Sequence, residues 1–486
     1  MNSPGARPAL DRWWTVALLS CAVFIAQMDV FIVNVAIPNI QRGIGASNSD
    51  VQLVIAIYAL FYGVLIITSS RLGDRYGRKR MFLLGTALFS GSSLLCGLAT
   101  GPLALIGFRA LQGVGAAAMV PQVLPTIHVL FRPDERQRAL GVYGAAIGLG
   151  AMAGQLFGGI LVAADLFGLG WRLVFLVNVP VGLLVVLTGP RVMADSHEAR
   201  PKHLDLAGVV VLIIALALFM VPLIASGKAQ WEPWMVIALA ASLVVGVAFT
   251  RVERAVAQRG GNPLVHAELF RARAYSPALI ALSLAQSSLS AFILVYTLHM
   301  QLGMGFSPFA VGASLGSPAI GYTLASLATG GLVKRWGGLV AVTGSSLMVI
   351  GYGAILVLAV VRQGELQPYA VVVPLLASAV GRGLMVTPTI NAGFRQVKPE
   401  LLGMASGVLN TSFQIGSLLG IGIIGSAFFA VRQLASGTPA HRSLTAFIVT
   451  SAGTVALAAA SLFGVWRTQR SATLAARHPA PLPARS

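Results

Sequence analysis

Apolar residues run along this chain in blocks of roughly 20 positions separated by short polar stretches, and 20 residues rising 1.5 Å each cross a hydrocarbon core about 30 Å thick. The blocks predict fourteen helical spans, at about 13–37, 51–70, 81–99, 104–130, 139–163, 172–190, 205–225, 233–250, 275–300, 309–333, 339–361, 369–392, 403–428 and 444–466. More polar stretches follow the sixth and eighth spans, so the spans group as six, two and six. The predicted fold class is all-α, a polytopic membrane protein with 14 transmembrane helices. Its expected divisions are an N-terminal segment 1–12, a first half 13–190, a linker with two additional helices 191–274, a second half 275–466 and a tail 467–486. Both ends are rich in Pro, Ala and Arg, which predicts disorder.

Composition narrows the class. Only 10% of residues are charged, against about 25% in soluble domains, which excludes a water-soluble enzyme. The net charge of +19 would suggest nucleic acid as a partner of a soluble chain, but placement decides otherwise. Of the 34 Lys and Arg residues, 26 fall on the side of the chain ends, 6 on the opposite side and 2 within spans. That bias predicts cytoplasmic termini for a multi-pass protein of a cell inner membrane or plasma membrane. The basic loops then face membrane lipid headgroups, not nucleic acid. Arg7 and Arg12 precede an apolar run too long for a signal peptide, so the run reads as a retained helix.

Several chemistries find no support. None of the five lysines ends a G-x-x-x-x-G-K-[ST] loop, the histidines are scattered, and Cys21 and Cys96 both sit in spans. No catalytic residue, metal site or cofactor is predicted, and the chain does not read as an enzyme.

An internal echo points to duplication. Ser70-Arg-Leu-Gly-Asp-Arg-Tyr-Gly-Arg78 recurs as Gly330-Gly-Leu-Val-Lys-Arg-Trp-Gly-Gly338, each after the second span of its half, as expected of transporters built from repeats. Charge inside the membrane is costly and marks function. Asp29 is the one deep carboxyl, with Asn34 nearby on the same span. A low dielectric disfavours an ionised carboxyl, so such a residue can load and release a proton. Arg109 stands three residues before Gln112, on one helix face, and an arginine moving toward or away from a carboxyl changes its hold on a proton. Gly150, Gly154 and Gly158 repeat every fourth residue, forming a smooth stripe for close packing or sliding of a neighbour. Asp74 lies among Arg71, Arg75, Arg78, Lys79 and Arg80.

These residues carry a resemblance. The chain resembles the major facilitator superfamily, specifically its fourteen-span drug/proton antiporter family, over about residues 13–466. The cytoplasmic motif G-x-L-x-D-R-x-G-R-[KR] matches at Leu72, Asp74, Arg75, Gly77, Arg78 and Lys79, with Ser70 in place of its first glycine. The fourth-span R-x-x-Q-G core matches at Arg109, Gln112 and Gly113. The first-span motif matches at Asp29, Ile32 to Ala36 and Pro38, with Phe31 where threonine is usual. The fifth-span antiporter motif matches at Gly141, Gly150, Gly154, Gly158 and Gly159, with Gln155 in place of its proline. Trp171-Arg172, Phe175 and Asn178-Val-Pro180 add a segment typical of the fourteen-span members.

The resemblance implies a secondary active transporter working by alternating access, exporting amphipathic organic compounds or drugs in exchange for protons. Asp29 and Arg109 would couple protons, while Asp74, Arg75, Gly77 and Arg78 would gate. Gly141, Gly150, Gly154, Gly158 and Gly159 would pack helices. The implied cavity is lined by spans 1, 4, 9 and 12, which makes Arg382, Asn34, Gln112 and Gln286 substrate-binding candidates, with His299 and Thr387 weaker ones. Expected partners are a small-molecule substrate, protons and membrane lipid, and export components of the periplasm or outer membrane are admitted. Two other readings stay open: a facilitator or symporter of a specific, anionic metabolite, suggested by Gln155 and Arg382, and a non-transporting membrane sensor or scaffold.

Overall fold

The computed structural model describes residues 9–131, 133–193, 206–225, 232–258, 267–316, 318–362, 366–398 and 401–477. The first half comprises α1 (Ala9–Ile44), α2 (Asn48–Tyr76), α3 (Arg78–Gly97), α4 (Pro102–Met119), α5 (Val123–Leu130), α6 (Pro133–Ala164), α7 (Leu173–Leu176) and α8 (Asn178–Val192). Two central helices follow, α9 (Leu206–Ala225) and α10 (Pro233–Gln258). The second half comprises α11 (Tyr275–Leu298), α12 (Pro308–Gly316), α13 (Pro318–Trp336), α14 (Leu339–Arg362), α15 (Val372–Phe394), α16 (Leu402–Leu419), α17 (Gly425–Leu434) and α18 (Pro439–Arg477). No strand occurs among the described residues.

Local chemistry fixes several boundaries. Ser47 and Asp50 form a capping box that opens α2, and Pro102 starts α4 where its missing N–H costs nothing. Gly77, at φ 100, is the one residue between α2 and α3, so the chain reverses there through a backbone conformation that a side chain would strain.

Thirteen helical stretches among the described residues are long and apolar enough to cross a membrane. The predicted tenth span falls on two pieces, α12 and α13, with position 317 outside the described residues. Residues 9–12 open α1 and residues 467–477 continue α18 as helix, because the last turns still bury Ala472 and Thr468. The other residues of the two ends, and 194–205 of the linker, lie outside the described residues.

The two halves pack alike. In the first, α4 lies against α2 and α3; in the second, α15 lies against α13 and α14. The halves meet on the side away from the chain ends, here called distal. There Gln301 Nε2 donates to the Val35 carbonyl (2.9 Å) and Gln52 Oε1 lies 3.2 Å from Ser426 Oγ, while nearer the middle of α2 Thr411 Oγ1 donates to the Gly63 carbonyl (2.8 Å). Along α6 the seam runs from Gly159, against Pro308 and Phe309, through Gln155, against Gly312, to Gly148, against Thr323. Gly144 and Gly141 continue that helix face toward the terminal side, yet nothing lies within 4 Å of where their Cβ atoms would be, and the same holds for Gly330 and Gly331 on α13. The halves therefore touch distally and part toward the side of the chain ends. The central helix α9 straddles the distal seam: Ser49 Oγ of the first half donates to the Ile224 carbonyl (3.2 Å) and Ser426 Oγ of the second to the Leu223 carbonyl (2.5 Å).

Candidate functional site

Asp29 lies fully buried inside the first half, in a cage built by α1, α3, α4 and α8. Its Oδ2 accepts from Arg109 Nη1 at 2.5 Å. Its Oδ1 accepts from Gln112 Nε2 (2.8 Å) and Asn178 Nδ2 (3.1 Å). Arg109 Nη1 also reaches Gln112 Oε1 (2.7 Å), and its Nε donates to the Val54 carbonyl of α2 (3.0 Å). Gln112 Nε2 donates further to Ser93 Oγ (2.6 Å). The guanidinium stands 4.2 Å from the Tyr58 ring centre and 5.8 Å from that of Phe175, which adds cation–π stabilisation where water is excluded. The i, i+3 spacing of Arg109 and Gln112 is what lets both reach one carboxylate.

A charge pair removed from water is held only when its remaining donors and acceptors are also met. Here one carboxylate collects three donors and one guanidinium spans two helices. Tyr58 Oη and Asn178 Oδ1 are buried without a hydrogen-bond partner among the described residues. The cage opens toward the seam: a cavity of about 20 Å³ between the halves is lined by Asn34, Tyr58 and Arg109 of the first and by Ser290, Gln414 and Ser417 of the second. That volume suits about one water. Arg109 thus belongs both to the cage and to the cavity wall.

The expected substrate-binding residues separate. Gln112 is fully buried, with both ends of its amide engaged in the cage, and is not among the residues lining this cavity. Asn34 does line the cavity, with Nδ2 turned back to the Val30 carbonyl (3.0 Å). Arg382 and Gln286 come together, with Arg382 Nη2 donating to Gln286 Oε1. His299 is fully buried, stacked on Phe447 with Nδ1 3.0 Å from Ser443 Oγ, and Thr387 is exposed.

At the terminal end of α2, Asp74 Oδ1 accepts from Arg78 Nη2 (2.9 Å) and Nε (3.2 Å) across the Gly77 reversal. Arg75 lies over the Tyr76 ring. Gly73 seats Gln122, whose Nε2 donates to the Ser69 carbonyl (2.8 Å), so this turn is fastened to the end of the fourth span.

The glycine stripe seats a neighbour within its own half. A Cβ on Gly150, Gly154 or Gly158 would stand 2.6, 2.5 or 3.0 Å from the carbonyl oxygens of Phe24, Met28 and Ile32. All three are α1 residues of the same half, so the stripe seats α1 and with it Asp29. Gly159 alone of the motif faces the other half. At Gly141 nothing lies within 4 Å of where a Cβ would be, at the end where the halves part.

Two residues of the cage, Asn178 and Ser93, were not singled out as site residues. Asn178 carried a signal only as part of the Asn-Val-Pro segment, and Ser93 carried none.

The chain matches the family model described as Major Facilitator Superfamily over residues 19–421. It is 33% identical to a probable actinorhodin transporter of Streptomyces coelicolor, covering 88% of this chain and 75% of that protein. It is 32% identical to the puromycin resistance protein of Streptomyces alboniger, covering 86% and 82%, and 32% identical to a drug efflux pump of Mycobacterium tuberculosis, covering 85% and 79%. Among solved structures it superposes on an inward-facing, unoccupied bacterial homolog of the human lysosomal transporter Spinster with a TM-score of 0.66, at 17% identity, covering 98% of this chain and 100% of that one.

Proposed function

The chain belongs to the major facilitator superfamily, and we propose that this secondary active transporter exports amphipathic organic compounds in exchange for protons, with both termini in the cytoplasm of an inner or plasma membrane. The relatives named for drug efflux, antibiotic resistance and antibiotic transport support the export reading. The bias of Lys and Arg toward the terminal side supports the orientation, under which the parted side of the two halves faces the cytoplasm.

One observation carries the coupling: Asp29, a fully buried carboxylate, is bonded to Arg109, and Arg109 also lines the cavity between the halves. With Asp29 ionised, the guanidinium is held at the carboxylate. When a proton arrives on Oδ2 the attraction falls, and Arg109, still bonded to the Val54 carbonyl, is free to turn its charge toward the cavity. A cation turned into the cavity repels protonated, positively charged substrates and attracts anionic ones. Proton loading and substrate occupancy thereby oppose or reinforce each other at one guanidinium, which is what exchange requires. The Asp74–Arg78 pair at the α2–α3 reversal would hold the terminal ends of the first half in register as the halves rock.

The test is flux in proteoliposomes. Purified protein should move ethidium against its gradient when an inward-directed proton gradient is imposed, and Asp29→Asn should abolish that flux. Undiminished gradient-driven flux by the variant would overturn the assignment.

A further inference from the structure

Arg382 is the second arginine inside the membrane, and its surroundings differ from those of Arg109 in one decisive respect. Each arginine is on the fourth span of its half and bonds a residue on the first: Arg109 on α4 to Asp29 on α1, Arg382 on α15 to Gln286 on α11. The first pair is neutral as a whole. The second keeps a full positive charge, because an amide stands where a carboxylate would compensate it. Among the described residues of that half there is no acid to serve instead: from residue 275 to the end of the chain the acidic residues are Glu365 and Glu400, both outside the described residues, and the one deep carboxylate of the first half is engaged by Arg109.

The guanidinium is also incompletely bonded. Arg382 Nε is buried without a partner among the described residues, while the side chain as a whole is only partly buried. It stands 6.0 Å from the Tyr322 ring centre on α13. Gln286 shares a face of α11 with Ser290 and Ile293, at spacings of four and seven residues, and those two line the cavity at the seam. The pair therefore sits one turn beyond that cavity, on the side where the halves part. A cation inside a membrane, met by no carboxylate among the described residues and one turn from the cavity at the seam, is a site for a counter-charge brought from outside.

We infer that Arg382, oriented by Gln286, is the anion-recognising point of the substrate path, selecting organic compounds that join an aromatic body to a carboxylate, sulfonate or phenolate. Arginine suits that role, since its planar fork offers paired donors to such groups and its face stacks on an aromatic ring. The inference rests on reading the seam as the substrate path but not on proton coupling. It places Gln286 as a positioning residue, whose neutrality is the functional property.

The experiment is equilibrium binding of carboxyfluorescein, an anionic aromatic dye, and of ethidium, a cationic one, to the purified full chain in phosphatidylcholine nanodiscs with no pH gradient. Gln286→Glu supplies the missing carboxylate beside the arginine without removing it. Because hydrogen bonds to charged groups contribute about 1.5–3 kcal/mol, carboxyfluorescein affinity should fall about tenfold to a hundredfold, with no fall for ethidium. Arg382→Gln should lose the same preference and Arg382→Lys should retain it, and monodispersity with an unchanged unfolding midpoint identifies folded variants. Equal losses for both dyes in Gln286→Glu, retained anion preference in Arg382→Gln, or no carboxyfluorescein binding by the parent chain would each overturn the inference. Displacement of the dye by phosphatidylglycerol that depends on Arg382 would assign the site to a lipid headgroup instead, overturning the substrate assignment. Failure of gradient-driven flux would leave this result untouched, and failure here would leave Asp29 coupling untouched.

Discussion

Arg109 Nη1 reaches Asp29 Oδ2 at 2.5 Å although the two residues are 80 positions apart, and both are buried to within a hundredth of their surface. Each depends on the other for its charge to be tolerated, so stability and function can be separated by removing them singly and together.

Asp29→Asn alone should lower the unfolding midpoint, since breaking a buried pair costs about 3–5 kcal/mol. Asp29→Asn with Arg109→Gln should recover part of that loss, because no unpaired charge remains. Neither should restore gradient-driven flux. A thermal unfolding series alongside proteoliposome flux gives both readings, and flux recovering with stability would argue for a purely structural pair.

Asn178→Ala should resemble a weakened Asp29 and not a weakened cavity. It removes a donor 3.1 Å from Oδ1 and leaves the seam lining unchanged. Proton-driven turnover should fall while dye affinity at equilibrium holds within about twofold, the unmade bond costing about 1–3 kcal/mol of stability.

How the cage was legible bears on this residue. The sequence alone picked out Asp29, Arg109 and Gln112, because an isolated acid in an apolar span and an i, i+3 pair are local signals. Asn178 and Ser93 became visible only with the packing of α8 and α3 around α1, since short polar side chains are common in spans and their partners are set by tertiary contact. The spans themselves were readable from hydropathy. The glycine stripe was recognised as a close-packing surface, but its partner, α1 and not the opposite half, depends on helix rotation that a single sequence does not encode.

Gly154→Ala should prove more damaging than its size suggests. The added Cβ would stand 2.5 Å from the Met28 carbonyl oxygen, a backbone atom that moves only if α1 moves, and Asp29 is the next residue. Overpacking of this kind costs about 1–3 kcal/mol, so a lowered unfolding midpoint and reduced flux are expected together. Gly141→Ala, with open space at the same distance, should not lower the midpoint and should raise it slightly, since alanine favours a helix interior over glycine by about 0.5–1 kcal/mol.

Asp74→Ala releases Arg78 from its bond across the Gly77 reversal. Turnover should fall several-fold with equilibrium dye affinity little changed, because the pair lies far from the cavity. The opposite pattern, weaker binding with normal turnover, would place the motif in recognition instead of gating.

Gly144 on α6 and Gly331 on α13 face open space on the parted side. If that side closes during the cycle, a bulky residue at Gly144 should obstruct it. Gly144→Leu is expected to keep dye binding from the terminal side while abolishing flux, and a Gly144→Cys/Gly331→Cys pair should cross-link only when turnover is permitted. Equal cross-linking without turnover would count against closure at this face.

The last turn of α9 offers carbonyls that its own helix leaves unused, and each half claims a neighbouring one, Ser49 at Ile224 and Ser426 at Leu223. A helix tied to both sides of a closed seam behaves as a clasp. It can follow one half when the distal side opens, but the bond to the other must break first. If the distal side opens in the cycle, α9 is then more than a spacer: its two bonds would set a threshold for exposing the far side of the membrane, and removing either serine hydroxyl should lower it.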